Sequence, residues 1–137
     1  MSSFAWPVRV YYEDTDSGGV VYYANYLRFM ERARTEWLRA LGFEQDRLIR
    51  EEGIVFAVRS ANVEYLRPAR FNDLLTVVSD LQHRGRASLT FMHTIIRQHE
   101  ASQPCCTGVV KIACINTDTF RPQPIPDTLL KEIVNGS

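Results

Sequence analysis

The sequence lacks several features that would place it in a specialised class of protein. Among its 137 residues, 16 Lys and Arg balance 16 Asp and Glu, so it has no basic surplus with which to bind nucleic acid. No apolar run approaches the roughly 20 residues of a membrane span, and the start, MSSFAWPVRV, lacks the order of a secretory signal. No segment recurs. We expect one domain over residues 1–137, located in the cytoplasm, with a proline-containing tail from about residue 118.

Cysteine is scarce, and its placement argues against disulfides. Cys105, Cys106 and Cys114 are odd in number and fall on one predicted strand, without the spacing of metal ligands. We interpret them as small buried hydrophobes in a reducing compartment. The alternative is a thiol nucleophile or a metal ligand.

The clearest pattern that is present predicts a helix from about Asn25 to Leu41, ended by Gly42. Its apolar residues recur at spacings of three and four: Tyr26, Phe29, Met30, Ala33, Trp37, Ala40 and Leu41. The opposite, polar side holds Arg28, Glu31, Arg32, Arg34, Thr35 and Arg39. A short second helix is predicted over Glu44–Glu52.

The rest of the chain has the two-residue period of strands. The predicted strands are Trp6–Tyr12, Ile54–Leu66, Leu74–His83, Arg86–Gln98 and Cys105–Asn116. His93 falls on the apolar face of its strand, as a core histidine would, and His99–Pro104 reads as a polar connection. The tail Asp118–Ser137 is predicted to form at most one weak turn. The layout favours an α+β fold in which an antiparallel sheet curls around one long helix.

An acidic turn just before the long helix has the residues for hydrolytic chemistry. Glu13, Asp14 and Asp16 are followed by Gly18-Gly19, which lets a substrate approach the backbone. The first N–H groups of a helix have no partner and suit an oxygen that gains negative charge. A carboxylate beside such a donor can attack an activated ester or deprotonate water. The alternative is that Asp14 or Asp16 only caps the turn.

The run VRVYYEDTDSGGVVYYANYLRFMERARTEWLRALG (Val8–Gly42) resembles the signature of the 4-hydroxybenzoyl-CoA thioesterase-like hotdog family. It is most similar to the YbgC group of acyl-CoA thioesterases, which is associated with the Tol-Pal genes. Further matches are Phe56-Ala57-Val58-Arg59 and the element from Val63 to Arg70. The resemblance implies a five-stranded antiparallel sheet wrapped around one long central helix. It also implies hydrolysis of an acyl-CoA thioester without metal or organic cofactor, since coenzyme A is part of the substrate.

Carried over by residue, the resemblance assigns the catalytic carboxylate to Asp16, as nucleophile or general base. The backbone N–H of Tyr23 would polarise the thioester carbonyl, and Gly18, Gly19 and Val20 would bind substrate. The group commonly has histidine where this chain has Tyr23. A phenol with a pKa of about 10 is a poor base at neutral pH, so only a mechanism based on Asp16 and backbone amides survives this change.

Coenzyme A carries phosphates, which guanidinium groups bind in pairs. The candidates are Arg59, Arg67, Arg70, Arg84 and Arg86. The predicted hairpin tip Arg84-Gly85-Arg86, with Ser88 just beyond it, is the best placed; the alternative is a solvated basic turn.

Two other function classes remain open from the sequence. One is a non-catalytic hotdog module that binds acyl groups or acyl carrier protein, although such a module has no need of Asp16. The other is a hotdog dehydratase, which uses a catalytic histidine that the Asp16 region lacks. Because one helix covers one face of the sheet and Ile54–Leu66 would leave an unpaired edge, we expect a homodimer or homotetramer with sites built from both chains.

Overall fold

A computed structural model describes residues 3–135 of the chain. The five strands are β1 (Ser3–Arg9), β2 (Ile54–Tyr65), β3 (Leu74–Arg84), β4 (Ser88–Arg97) and β5 (Glu100–Asn116). The helices are α1 (Asn25–Ala40), α2 (Gln45–Arg47), which continues as a π-helical turn over Leu48–Glu52, and α3 (Asp127–Asn135). No helix among residues 3–135 is long and apolar enough to cross a membrane.

The strands form one antiparallel sheet in the order β1-β3-β4-β5-β2. Helix α1 lies against one face of this sheet, and its residues Phe29, Met30, Ala33 and Trp37 are fully buried. Gly108 of β5 allows the close approach, because a Cβ there would lie 2.8 Å from the Met30 side chain. The predicted α+β arrangement of sheet and helix is confirmed, and β2 is an edge strand.

The alternation in β4 decides which of its side chains enter the core. Leu89, Phe91, His93 and Ile95 are buried, whereas the residues between them are half-buried. The predicted face of this strand is therefore confirmed, including the burial of His93.

The C-terminal prediction was wrong. Asp127–Asn135 is a helix, and Leu129 and Ile133 on it are fully buried in the main core. The three prolines that suggested an irregular tail all precede this helix. Proline is compatible with a position just before or at the start of a helix. The prolines therefore interrupt regular structure between β5 and α3 without preventing α3 from forming.

Three smaller predictions also need correction. Arg34 does not face solvent with the other polar residues of α1, because it is 7% exposed. The first strand does not extend to Tyr12, since β1 ends at Arg9 and Tyr12 lies exposed in a 3-10 turn that follows it. The polar connection is shorter than His99–Pro104, because β5 already begins at Glu100.

Candidate active site

The acidic turn folds as a tight hairpin that holds Asp16 at its tip. The Asp16 amide donates to the Val20 carbonyl at 3.0 Å, and the Gly19 amide donates back to the Asp16 carbonyl at 3.0 Å. Gly19 has a φ of 79°, a left-handed conformation that glycine adopts without steric cost. The Asp16 Oδ1 atom accepts the Gly18 amide at 2.8 Å, and the side chain is exposed. The hairpin therefore fixes the carboxylate while leaving it accessible.

Tyr23 lies just beyond this hairpin, where α1 begins. The amides of Asn25, Tyr26 and Leu27 donate to the carbonyls of Tyr22, Tyr23 and Ala24. The helix has no side-chain N-cap, and within residues 3–135 the Tyr23 amide donates to no backbone or side-chain acceptor. A free N–H at a helix N-terminus is suited to an oxygen that develops negative charge.

Two hydrogen bonds connect the hairpin to the start of α1. The Tyr22 amide donates to the Asp14 carbonyl at 2.9 Å, and the Asn25 side-chain amide donates to the same carbonyl at 2.9 Å. Asn25 is buried, and this hydrogen bond is partly shielded from water. Asp16, Gly18, Gly19, Val20 and Tyr23 therefore lie in one local unit.

The carboxylates next to Asp16 differ in their roles. The Asp14 Oδ2 atom accepts the Tyr11 amide at 2.8 Å, which is the turn-stabilising role that the sequence allowed as an alternative. Glu13 makes no such contact with a backbone amide of the described residues, and it lines a polar groove together with Asp14, Arg9 and Arg28.

An aromatic groove of about 260 Å³ opens beside Tyr23, where the end of β2 meets the hairpin. The Tyr23 ring meets the Tyr65 ring edge-on at 5.9 Å, and Tyr65 contacts Tyr26 at 5.7 Å. The groove is lined by Val21, Tyr23, Tyr26, Tyr65, Leu66, Arg67 and Pro68. The sequence matched the element from Val63 to Arg70 to the family, but it did not place Tyr65 and Leu66 beside the hairpin, because they follow it by more than 40 residues in the chain.

The arginines proposed for coenzyme A separate into two groups. The backbone of Arg70 forms an antiparallel β-bridge with Val20 of the hairpin, and Arg67 lines the aromatic groove. Arg84, Arg86 and Ser88 lie at the β3–β4 hairpin, at the opposite end of β3 from the Asp16 hairpin and about 30 Å along the strand. Arg59 lies at an irregularity in the middle of β2. Within one chain, these last four residues are not brought to Asp16.

A buried polar network lies behind α1 and was only partly anticipated. The Arg34 guanidinium is 2.9 Å from His93 Nε2, and His93 Nδ1 is 2.7 Å from Ser79 Oγ. Arginine has only donors, so Nε2 accepts and Nδ1–H donates to Ser79. Burial and the Arg34 charge lower the pKa of His93 to about 3, and burial lowers the pKa of Arg34 to about 10. At neutral pH, Arg34 is therefore a buried cation and His93 is neutral.

The three cysteines are buried and free. Burial raises the pKa of Cys106 to about 12 and that of Cys114 to about 11, so both stay as unreactive thiols. No cluster of three His, Cys, Asp or Glu residues suited to a metal occurs between residues 3 and 135.

Comparisons with known proteins give the same class for sequence and fold. A family model described as the thioesterase-like superfamily matches residues 10–133. The acyl-CoA thioesterase YbgC of Haemophilus influenzae is 40% identical over 125 residues, covering 91% of this chain and 90% of that protein. A probable thioesterase from Bartonella henselae superposes with a TM-score of 0.84 at 34% identity, covering 91% of this chain and 100% of that one.

The fold extends to more distant structures. A 1,4-dihydroxy-2-naphthoyl-CoA thioesterase from Synechocystis has a TM-score of 0.91 at 22% identity, covering 98% of this chain and 97% of that one. The five-stranded antiparallel sheet around α1 thus defines an α+β protein of the hotdog class. The chain belongs to the thioesterase-like superfamily, and its YbgC relatives confirm the predicted resemblance.

Proposed function

We propose that the protein hydrolyses acyl-CoA thioesters to a free acid and coenzyme A, using Asp16 and the Tyr23 amide. The observation that carries this proposal is the unpaired Tyr23 N–H at the uncapped start of α1, beside the hairpin that holds Asp16. Relatives at 40% and 35% identity over more than 90% of the chain are named acyl-CoA thioesterases. The chain is accordingly an enzyme, an acyl-CoA thioester hydrolase.

In the first of two routes, Asp16 acts as a general base. One carboxylate oxygen takes a proton from water while that water attacks the thioester carbonyl carbon. The carbonyl oxygen becomes an oxyanion and accepts the Tyr23 N–H, whose orientation is already set by the helix. Collapse of the tetrahedral intermediate breaks the C–S bond, and the thiolate of coenzyme A receives the proton held by Asp16.

In the second route, Asp16 is the nucleophile. Its carboxylate attacks the carbonyl carbon, the C–S bond breaks, coenzyme A leaves as the thiolate, and a mixed anhydride links the acyl group to Asp16. Water then hydrolyses this anhydride to the carboxylate product and the Asp16 carboxylate, and of the two protons released one protonates the thiolate and the other passes to solvent. In both routes the oxyanion accepts a hydrogen bond from the Tyr23 N–H, so the geometry of the site is compatible with either route.

The proposal includes a two-fold dimer formed through β2. This strand has 12 residues and an unpaired edge, and the five residues from Val58 to Asn62 are all exposed. A long bare edge exposes unpaired backbone groups, and antiparallel pairing with a second copy satisfies them. In such a dimer, the Arg84–Arg86 turn lies at the same end as the partner's Asp16 hairpin, where it can bind the phosphates of the partner's coenzyme A. Association of two dimers into a tetramer is compatible with this arrangement.

A hydrolysis screen tests the activity. Purified protein is offered CoA thioesters from acetyl to palmitoyl, together with hydroxybenzoyl-CoA and acyl carrier protein thioesters, and released thiol is measured. We expect turnover of at least one CoA thioester, abolished by Asp16→Asn. Binding without turnover of any donor would contradict the proposal and favour the non-catalytic module.

A further inference from the structure

Phe120 combines two unfavourable features that no contact among residues 3–135 offsets. Its side chain is 76% exposed, which is unfavourable in free energy because apolar surface stays in contact with water. Its φ is 57°, and among residues 3–135 only Asn72 shares a positive φ without being glycine. Asparagine tolerates this left-handed region, whereas a bulky residue there is an outlier that signals a turn under strain.

The turn that carries Phe120 is held in a defined shape. Asn116 Oδ1 accepts the amides of Asp118 and Thr119 at 2.8 and 3.1 Å. The Phe120 amide donates to the Asn116 carbonyl at 2.9 Å. Because the backbone is fixed on both sides of the tip, the ring is presented to the surroundings by a preorganised turn.

This turn directly follows β5 and lies at the end of the sheet where β2 begins. Asn116 pairs with Ile54, and the Thr117 amide donates to the Gly53 carbonyl at 2.9 Å. An antiparallel pairing of two β2 strands centred on Ser60, the middle of the exposed stretch, places Ile54 beside Leu66 of the partner subunit. Two strand spacings, about 10 Å, then separate the Asn116 backbone from the partner's Leu66.

The partner's surface at that point is the aromatic groove beside Tyr23. Its apolar walls, formed largely by Tyr23, Tyr65 and Leu66, suit a phenyl ring, since offset or edge-on ring contacts are favourable. The turn therefore matches the groove in position and in apolar character.

We propose that Phe120 of one copy packs into the aromatic groove of the other and completes the wall of that copy's Asp16–Tyr23 site. This inference rests on the proposed β2 dimer and on the proposed site. It adds a substrate-positioning residue supplied in trans, which explains why an exposed ring occupies a backbone conformation that favours glycine.

Cross-linking tests the contact without using activity. Phe120→Cys is made in one copy and Leu66→Cys in another, each with its own affinity tag, and the co-expressed pair is treated with a short bismaleimide. The native cysteines are buried, so they serve as an unreactive background. We expect a cross-linked species of about 32 kDa, twice the 15.8 kDa chain. A β2 dimer without this species, or a monomeric protein, would overturn the inference.

A cross-link within one chain cannot be mistaken for the link between two chains. Within one chain, β2 spans Ile54–Tyr65, so Phe120 and its own Leu66 lie at opposite ends of the strand, about 35 Å apart. A double variant carrying both substitutions in one chain must therefore also cross-link between chains.

Glycine at position 120 separates positioning from folding. Phe120→Gly removes the ring and the backbone strain together, so loss of the contact and relief of the strain change the melting temperature in opposite directions. We expect a folded β2 dimer of unchanged mass together with a fall of about tenfold or more in kcat/KM. Asn72→Gly relieves the other left-handed turn and is the matched control, with full activity expected. A Phe120→Gly enzyme with wild-type kcat/KM would contradict the positioning role.

Subunit complementation shows in which copy Phe120 acts. A heterodimer of an Asp16→Asn chain and a Phe120→Gly chain has one site with both Asp16 and the other copy's Phe120. We expect about half of wild-type activity, since one of two symmetric sites is intact. If Phe120 acted on its own chain's site, the heterodimer would be no more active than the Phe120→Gly homodimer. Activity in the Asp16→Asn homodimer would instead contradict the proposed catalytic residue, while cross-linking would still decide the contact.

Discussion

At the scale of single residues, the proposed site consists of one exposed carboxylate, Asp16, and one free amide, that of Tyr23, a few residues apart in the chain. The Gly19 amide and the Val20 carbonyl fix the Asp16 backbone, and the Gly18 amide binds its carboxylate. Asn25 connects the hairpin to α1. The Asp14 and Asp16 carboxylates each accept one backbone amide, from Tyr11 and Gly18 respectively, but Asp16 is exposed whereas Asp14 is half-buried, so the two carboxylates are not equivalent. This difference gives a direct test.

Asp16→Asn should abolish turnover while leaving folding and substrate binding nearly intact. Asparagine keeps the oxygen that accepts the Gly18 amide but removes the nucleophile or base, so the loss should appear in kcat. General-base catalysis contributes on the order of 10² to 10⁴-fold. Asp14→Asn is the matched control, with a much smaller effect expected. An Asp16→Asn enzyme with more than about a tenth of wild-type kcat would remove Asp16 from this role.

The Arg34–His93–Ser79 network gives a second residue-scale prediction, on pH. The unfolded chain protonates His93 near its ordinary pKa of about 6.5, whereas the folded chain does so only near 3. Between these values the unfolded state holds more protons, so stability falls as pH falls. From pH 7 to pH 5 we expect a loss of about 2 kcal/mol from this group.

His93→Gln isolates this effect, because glutamine can accept from Arg34 and donate to Ser79 but does not titrate in this range. Urea unfolding at pH 7 and pH 5 should show a smaller loss for this variant than for the wild type. His83→Gln, on an exposed histidine, should behave like the wild type. Equal losses in all three proteins would exclude His93 as the source.

At the scale of elements, the sequence predicted what short-range patterns decide. The period of 3.6 residues located α1, and the change to a period of two located the strands after Gly53. The order of the strands in the sheet and the burial of Arg34 depend on contacts between distant segments, which periodicity does not contain. The same limit applies to the site, where the hairpin was predictable but the groove formed with Tyr65 was not.

Helix α3 shows how a tertiary contact outweighs local composition. The prolines before it favoured an irregular tail, but Leu129 and Ile133 lie one helical turn apart and both pack in the core. Burial of one such amphipathic face supplies most of the stability of a short helix. The helix is therefore part of the fold rather than an appendage.

Leu129→Ala should consequently destabilise the whole protein. Removing a fully buried leucine leaves a cavity and costs about 2–5 kcal/mol. Thermal and urea unfolding measure the change, and Lys131→Ala on the exposed side of the same helix is the control. A loss below about 1 kcal/mol for Leu129→Ala would mean that α3 packs only loosely on the core.

At the scale of the whole molecule, the unpaired edge of β2 and the separation of the two groups of arginines both favour a dimer. A single chain holds the Asp16 hairpin at one end of the sheet and the Arg84–Arg86 turn at the other. Antiparallel pairing of two β2 strands brings the complementary ends of two chains together. The proposed enzyme is then complete only as a dimer.

Ser60→Asp tests this assembly at its centre. A residue on a two-fold axis meets its own copy, so the substitution places two like charges side by side across the paired strands. Light scattering at micromolar concentration should give about 32 kDa for the wild type, twice the 15.8 kDa chain, and a shift towards the monomer for Ser60→Asp. Activity should fall with the dimer, whereas Ser102→Asp, an exposed serine on β5, should change neither. A fully active wild-type species of about 16 kDa would contradict both the dimer and the shared site.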